Sequence, residues 1–253
     1  MLNTVTTPPY SMRPFQDLLT QTVRDSGAGT LVVDITCLTK VHAIALAGWA
    51  VANAGSIRVV CAYSTPQNYR IGSTGERGRG WRDILVLPVG QASRLRREGH
   101  ARGLLLAGHE PDRASVALSA LEPAAGHIVV PDTPGRPDFR RASERAHRSL
   151  FRRLELMRMP GAMGLAAGWR RTSVAANDPT GIARIVIEEA ELALNDEAPI
   201  LLFPFGPKAH VFVAAFHLAL TYGAASWCVY PVPVAYNVDY TQGSAATSWM
   251  RVM

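Results

Sequence analysis

Apolar positions along this chain fall into two alternating rhythms. Short dense runs, "TLVVDIT" (30–36), "IRVVCAY" (57–63), "ILVLPV" (84–89), "GLLLAGH" (103–109), "GHIVVPD" (126–132), "ILLFPF" (200–205) and "SWCVYPV" (226–232), are bounded by turn residues. Runs of that length, apolar on both faces, read as strands buried from both sides. Between them lie longer segments of helical period. In "FQDLLTQTVRDSG" Phe15, Leu18, Leu19 and Val23 share one face and Gly27 supplies a stop. "VHAIALAGWAVANAG" (41–55) and "KAHVFVAAFHLALTYG" (208–223) are apolar all round, as helices packed on two sides must be. Residues 110–123 form a helix with acids in its first turn, and 138–156 a long basic amphipathic one. "DPTG" opens another helix, with Asp178 as N-cap and Pro179 at the first helical position.

Strands alternating with helices imply an α/β fold: Rossmann-like, mostly parallel, with right-handed crossovers and helices on both faces of the sheet. The alternation runs through the whole chain, so residues 1–253 are expected to form one domain. Residues 1–14 are a Pro-rich lead-in, and 232–253 an aromatic loop that returns as a last strand. Residues 159–178 read as loop plus an edge strand, and 64–83 as a long aperiodic loop rich in Gly, Ser, Thr and Arg.

Composition narrows the class. At 253 residues and 48% apolar content the chain can bury a sizeable core. No apolar run is long enough to span a bilayer and no signal-peptide layout opens the chain, so the cytoplasm is the expected location. Cys37, Cys61 and Cys228 are widely spaced beside apolar runs, as reduced core thiols are, and no metal site is expected. The net charge of +6 comes from arginine concentrated in 77–102 and 136–171. Either these are ordinary solvated faces or they meet an anionic partner. Zinc spacing, a basic heptad region and RNP-like aromatics are all missing, so direct nucleic-acid binding has no motif behind it.

The candidate chemistry sits where strands hand over to helices. Of 26 cationic Lys and Arg side chains only Lys40 and Lys208 are lysine, and each stands just past a buried run at the opening of an apolar helix. Ligands of open α/β sheets bind beyond the carboxyl ends of the strands. In "DITCLTK", Thr36, Thr39 and Lys40 occupy the turn, where amides and hydroxyls can hold an anion. The alternative is that a threonine caps the helix while Lys40 faces water. In "PFGPKAH", Gly206 allows a close turn, Pro207 fits the first helical position, and Lys208 is a cation at a helix N-terminus, where it is electrostatically misplaced without an anion. Asp34 would answer that need structurally, and a ligand phosphate functionally. "GHEPDRA" offers His109, Glu110 and Asp112 as acid or base candidates, or as ordinary first-turn residues. "YPVPVAYNVDYTQG" clusters Tyr230, Tyr236, Asn237, Asp239 and Tyr240, an aromatic wall for a base or a packed loop. Neither G-x-G-x-x-G after strand one nor an acid after strand two is present, which argues against NAD; no other cofactor is indicated.

Together "VVDIT", "AYSTPQNY", "LLAGHEPDRA", "PFGPKAHVFVAAFHLAL" and "VYPVPVAYNVDYTQG" resemble a family of uncharacterised bacterial Rossmann-like proteins over most of the chain. That family's later motif reads Gly-Thr-Lys; Gly206-Pro207-Lys208 lacks its hydroxyl. The layout is also similar to the CARF class of sensors, which bind cyclic oligonucleotides through a turn after strand one and a Gly-x-Lys turn before a later apolar helix. The resemblance implies that Thr36, Thr39, Gly206 and Lys208 contact phosphate and ribose. It implies a nucleotide-binding sensor or regulatory subunit, in the setting of bacterial antiviral defence. Two other readings stay open: a non-catalytic assembly subunit using the arginine-rich helix and aromatic tail, in a homo-oligomer or with a protein partner, and an enzyme acting on nucleotides or phosphodiesters.

Overall fold

The computed structural model describes residues 10–69, 80–90, 100–156, 168–234 and 241–251. It shows a mixed α/β protein in which five of the seven described strand pairings are parallel. The elements in chain order are α1 (Met12–Ser26), β1 (Thr30–Asp34), α2 (Lys40–Ala52), β2 (Arg58–Tyr69), β3 (Trp81–Pro88), β4 (Arg102–Leu106), α3 (Pro111–Leu121) and β5 (Ala125–Asp132). They continue with α4 (Pro137–Ala146), α5 (Arg148–Leu156), β6 (Trp169–Ala175), α6 (Pro179–Asn195), β7 (Ile200–Pro204), α7 (Lys208–Tyr222), β8 (Ser226–Pro233) and β9 (Thr241–Arg251).

The strands divide between two sheets. Six form one sheet in the order β3-β8-β7-β4-β5-β6, and β1, β2 and β9 form a separate one of three. A single sheet was the expectation; burial patterns tell which residues are covered but not which strand lies alongside. The two sheets share a core. Val59, Cys61 and Tyr63 of β2 pack in the same cluster as Leu104 and Leu106 of β4 and Val211, Phe212 and Ala215 of α7. A second cluster, with Leu105, Ile128, Phe203, Leu118, Phe151 and Leu154, covers the other face, so α6 and α7 flank the large sheet on one side and α3 and α5 on the other.

Local chemistry explains most boundaries. Asp178 accepts from Gly181 N at 2.9 Å and Pro179 opens α6, as the sequence predicts. Gly27 closes α1 at φ 61°, a conformation glycine tolerates without Cβ strain. The expected helix over 138–156 is two, broken only at His147. The described residues of the expected 64–83 loop are largely strand: β2 runs on to Tyr69, paired with β9, and β3 starts at Trp81, while 70–79 lie outside the described residues. Pro66 sits at the register shift of that pairing, where a ladder donor is dispensable. Cys61 and Cys228 are buried but Cys37 is exposed, because it lies in the turn past β1 rather than in the apolar run.

At the amino ends of β4, β5 and β6 a buried acid gathers three basic side chains. Glu189 of α6 meets Arg102 Nε at 3.0 Å, Arg102 Nη2 at 2.9 Å, Arg170 at 2.6 Å and His127 Nδ1 at 3.5 Å. Arg102 also reaches Asp196 at 3.0 Å. Burial pushes Glu189 up, yet His127, Arg170 and Arg102 outweigh it and hold the carboxyl at about 2.

Candidate functional site

The strand order of the large sheet reverses between β4 and β7. From β4 the chain winds outward through β5 to β6, then returns to the other side of β4 with β7 and continues to β8. The carboxyl ends of two strands diverging in this way leave a crevice, where open α/β sheets bind ligands. Here that position holds two turns, 107–110 after β4 and 205–207 after β7. They approach as closely as backbone allows: Phe205 N donates to Leu106 O at 3.0 Å, and a Cβ on Gly108 would stand 2.0 Å from Phe205 O. Glycine at 108 is therefore a steric requirement of the site.

The turn after β1 leans across the same place, and the two lysines exchange partners. Lys40, the first residue of α2, donates from Nζ to Phe205 O at 2.8 Å in the turn before α7. Lys208, the first residue of α7, donates from Nζ to Thr36 O in the turn before α2. The two helices pack against one another through the shared core. Two βα units, 168 residues apart at their lysines, thus hold each other's turn, and both ammonium groups sit part-buried at the head of the crevice.

Burial pushes Lys40 down to about 7, and the positive Arg113 and Lys208 add to the effect while Glu110 opposes it. Lys208 is lowered too, by burial first, with Cys37 and Asp34 acting the other way. Asp34 therefore faces Lys208 electrostatically, but the direct acceptor is a carbonyl. An ammonium has three N–H donors. One from each lysine is spent on a carbonyl. Three helices begin here. α3 and α7 have no side-chain cap, which leaves first-turn amides at both helix starts available to an anion.

Thr39 is the N-cap of α2, its hydroxyl accepting from His42 N at 3.1 Å. Thr36 N donates to Asp34 at 2.8 Å and its hydroxyl accepts from Ser64 N at 2.9 Å, so the side chain ties the turn to β2. Gly206 is buried beside Ala107 O. Pro207 occupies the N-cap position with an extended ψ of 145°, one residue earlier than the first helical position expected. Tyr236 and Asn237, with Asp239 and Tyr240, lie outside the described residues.

The β4 turn brings in the other candidates. Glu110 is pushed up by burial, but Arg113 and Lys40 more than compensate, so the carboxyl is ionised and bound to Arg113 Nη1 at 2.7 Å. Burial, helped by His147 and Lys40, lowers His109 to about 4, which keeps it neutral at neutral pH. Asp112 is exposed in the first turn of α3. Arg113, not among the residues the sequence singles out, is buried: Nη2 donates to Pro231 O at 2.7 Å, and the guanidinium lies 4.9 Å from the Tyr230 ring and 5.8 Å from that of Phe205. It ties the β4, β7 and β8 ends together. Its signal was legible, since a cation in the first turn of a helix is as misplaced as Lys208.

Among the described residues no group of His, Cys, Asp and Glu could hold a metal ion. No described helix is long and apolar enough to cross a membrane. A small cavity lined by Asn177, Pro179, His210 and Trp249 lies between the starts of α6 and α7 and strand β9, beside the crevice rather than in it.

Comparison with known proteins adds little. No family model matches the chain, and no curated protein does. Among solved structures it is similar to a Type III CRISPR defence DNA nuclease activated by cyclic oligoadenylate, at 16% identity and a TM-score of 0.35, over 86% of this chain and 32% of that one. The chain thus spans about a third of the length of that nuclease.

Proposed function

We propose that this protein is a nucleotide-binding sensor or regulatory subunit whose ligand, a nucleotide or cyclic oligonucleotide, sits by its phosphate at the β4/β7 crevice. The observation that carries this reading is the lysine exchange: the only two lysines converge at the reversal point of the sheet, each with donors to spare. Gly206 and the amides of α7 would take the phosphate, with Thr36, Thr39, Lys40 and Lys208 around it. A part in bacterial antiviral defence follows from the motif resemblance. His109, Glu110 and Asp112 then shape the site electrostatically, since Glu110 is already committed to Arg113.

The test is a thermal-shift panel of nucleotides and cyclic oligonucleotides on the wild type and on Lys208→Ala, each referred to its own ligand-free melting point. A ligand of the folded state raises the melting temperature. The reading expects a concentration-dependent rise in the wild type, lost in the variant, and weaker as pH climbs through about 7, where Lys40 loses its proton. A panel without any shift refutes it. One feature favours an assembly subunit instead: Val32 and Trp249, 59% and 66% exposed, lie on the small sheet, whose β1 edge pairs with no further strand among the described residues. Self-association without nucleotide binding would select that reading.

A further inference from the structure

Helices α4 and α5 run almost as one, because His147 N donates to Ser143 O at 3.0 Å and Phe151 N to His147 O at 2.8 Å. Phe139, Ser143, His147, Leu150, Phe151 and Leu154 are buried along one side. With about 100° of turn per residue, Arg141, Arg145, Arg148 and Arg152 fall on the opposite side, and all four are exposed. Their spacing of four, three and four residues makes a straight row roughly 16 Å long.

Among the described residues no carboxylate forms an ion pair with the row, although Asp138 feels the charge of Arg141. Every acid of the two helices is engaged by a different arginine: Asp138 by Arg136 at 2.9 Å, Glu144 by Arg140 at 3.8 Å and Glu155 by Arg171 at 3.1 Å. None of the four row arginines is in a salt bridge among the described residues. Arg145 spends only its Nε, on Arg141 O at 3.2 Å, and keeps its two terminal nitrogens.

We propose that this arginine row binds the phosphate backbone of duplex nucleic acid without reading its sequence. Guanidinium forks match phosphate oxygens in pairs, and a straight row of like charges matches a polymer of uniform negative charge. A protein partner would require an apolar centre. Between these arginines only Ala146 and Ser149 are exposed, the one exposed large apolar side chain of the two helices, Leu156, stands at the end of the row rather than at its centre, and both phenylalanines are buried. The described residues of α4 and α5 therefore offer no exposed aromatic ring on which the bases of a single strand could stack. The surface is separate from the β4/β7 crevice and does not depend on the nucleotide reading.

The experiment is fluorescence anisotropy with labelled DNA and RNA duplexes of about 20 base pairs and arbitrary sequence, titrated with the whole chain at several salt concentrations. Four phosphate contacts give a slope of log K on log salt of about −3 to −4, roughly a hundredfold weaker binding at about 200 mM than at about 50 mM. Arg148→Gln lowers the slope by about one, and Arg148→Gln with Arg152→Gln by about two. The fourfold Arg→Gln variant loses binding with an unchanged circular-dichroism melt. Preference between DNA and RNA tells which duplex is meant. Absence of binding at about 50 mM salt, or binding that survives the fourfold substitution, overturns the proposal. Polyglutamate bound as tightly as either duplex, and lost with the same residues, overturns it in favour of an acidic protein.

Discussion

Replacing Glu189 with Gln removes the negative charge that Arg102, Arg170 and His127 share, at a position 1% exposed, and leaves Arg102 only Asp196. Gln keeps the shape and one acceptor, but turns an NH2 group toward guanidinium donors. Its magnitude follows in two ways. Taking one partner from a buried ion pair costs about 3–5 kcal/mol. The fall of the carboxyl from its ordinary 4.5 to about 2 corresponds to about 3 kcal/mol of preference for the charged form in the folded state. At about 3 kcal/mol, a chain of this size loses roughly 6–12 °C in melting temperature. The pH dependence has a definite sign. A carboxyl depressed on folding stabilises fully above its unfolded value of 4.5, and that contribution drains away as pH falls toward 2. Urea and thermal denaturation of wild type and Glu189→Gln should therefore differ most at neutral pH and converge in acid. A difference under about 1 kcal/mol at neutral pH, or one that does not narrow below 4.5, would refute the assignment of Glu189 as the charged centre of this cluster.

Two further outcomes follow from the crevice. The unfolded chain holds the Lys40 proton up to 10.5 while the folded one releases it near 7, so unfolding takes up a proton between these values and stability rises with pH across that window; Lys40→Met flattens the rise, read from urea midpoints. Gly108→Ala drives a Cβ to 2.0 Å from Phe205 O and must displace the turn before Lys208, costing about 1–3 kcal/mol and weakening any ligand-induced thermal shift beyond the drop in baseline.

The sequence carried the alternation of strands and helices well, because buried parallel strands are continuous apolar runs and the apolar helices differ from them in length. The caps at Asp178 and Gly27 were also legible, since each rests on a local rule. What stayed hidden depends on partners. β2 beyond Tyr63 and the start of β3 have no apolar signature, because Ser64 to Asn68 pair with β9 as a half-solvated ribbon. The split into two sheets is likewise a matter of who pairs with whom. In the candidate site Lys208 was visible as an electrostatic anomaly and Lys40 by its place past a buried run; that the two turns meet is carried by the hydrogen bonds alone. The acceptors were not visible, being carbonyls, which no side-chain pattern marks. The bond from Arg102 to Glu189 spans 87 residues, and neither residue type is unusual where it stands.

The lysine exchange also makes this protein unusual toward covalent chemistry. Its 24 arginines do not acylate under mild conditions, and both lysine side chains are partly withdrawn into the head of one crevice. Acylating reagents therefore find no freely exposed lysine amine on the surface. Burial holds Lys40 near 7, so about half of it is the free amine at neutral pH while the turn is closed, and opening the turn exposes Nζ to a reagent and returns it toward the ordinary lysine value. Acylation at residues 40 and 208, followed by mass spectrometry, becomes a clock for the opening of that crevice, and one that a bound anion should slow.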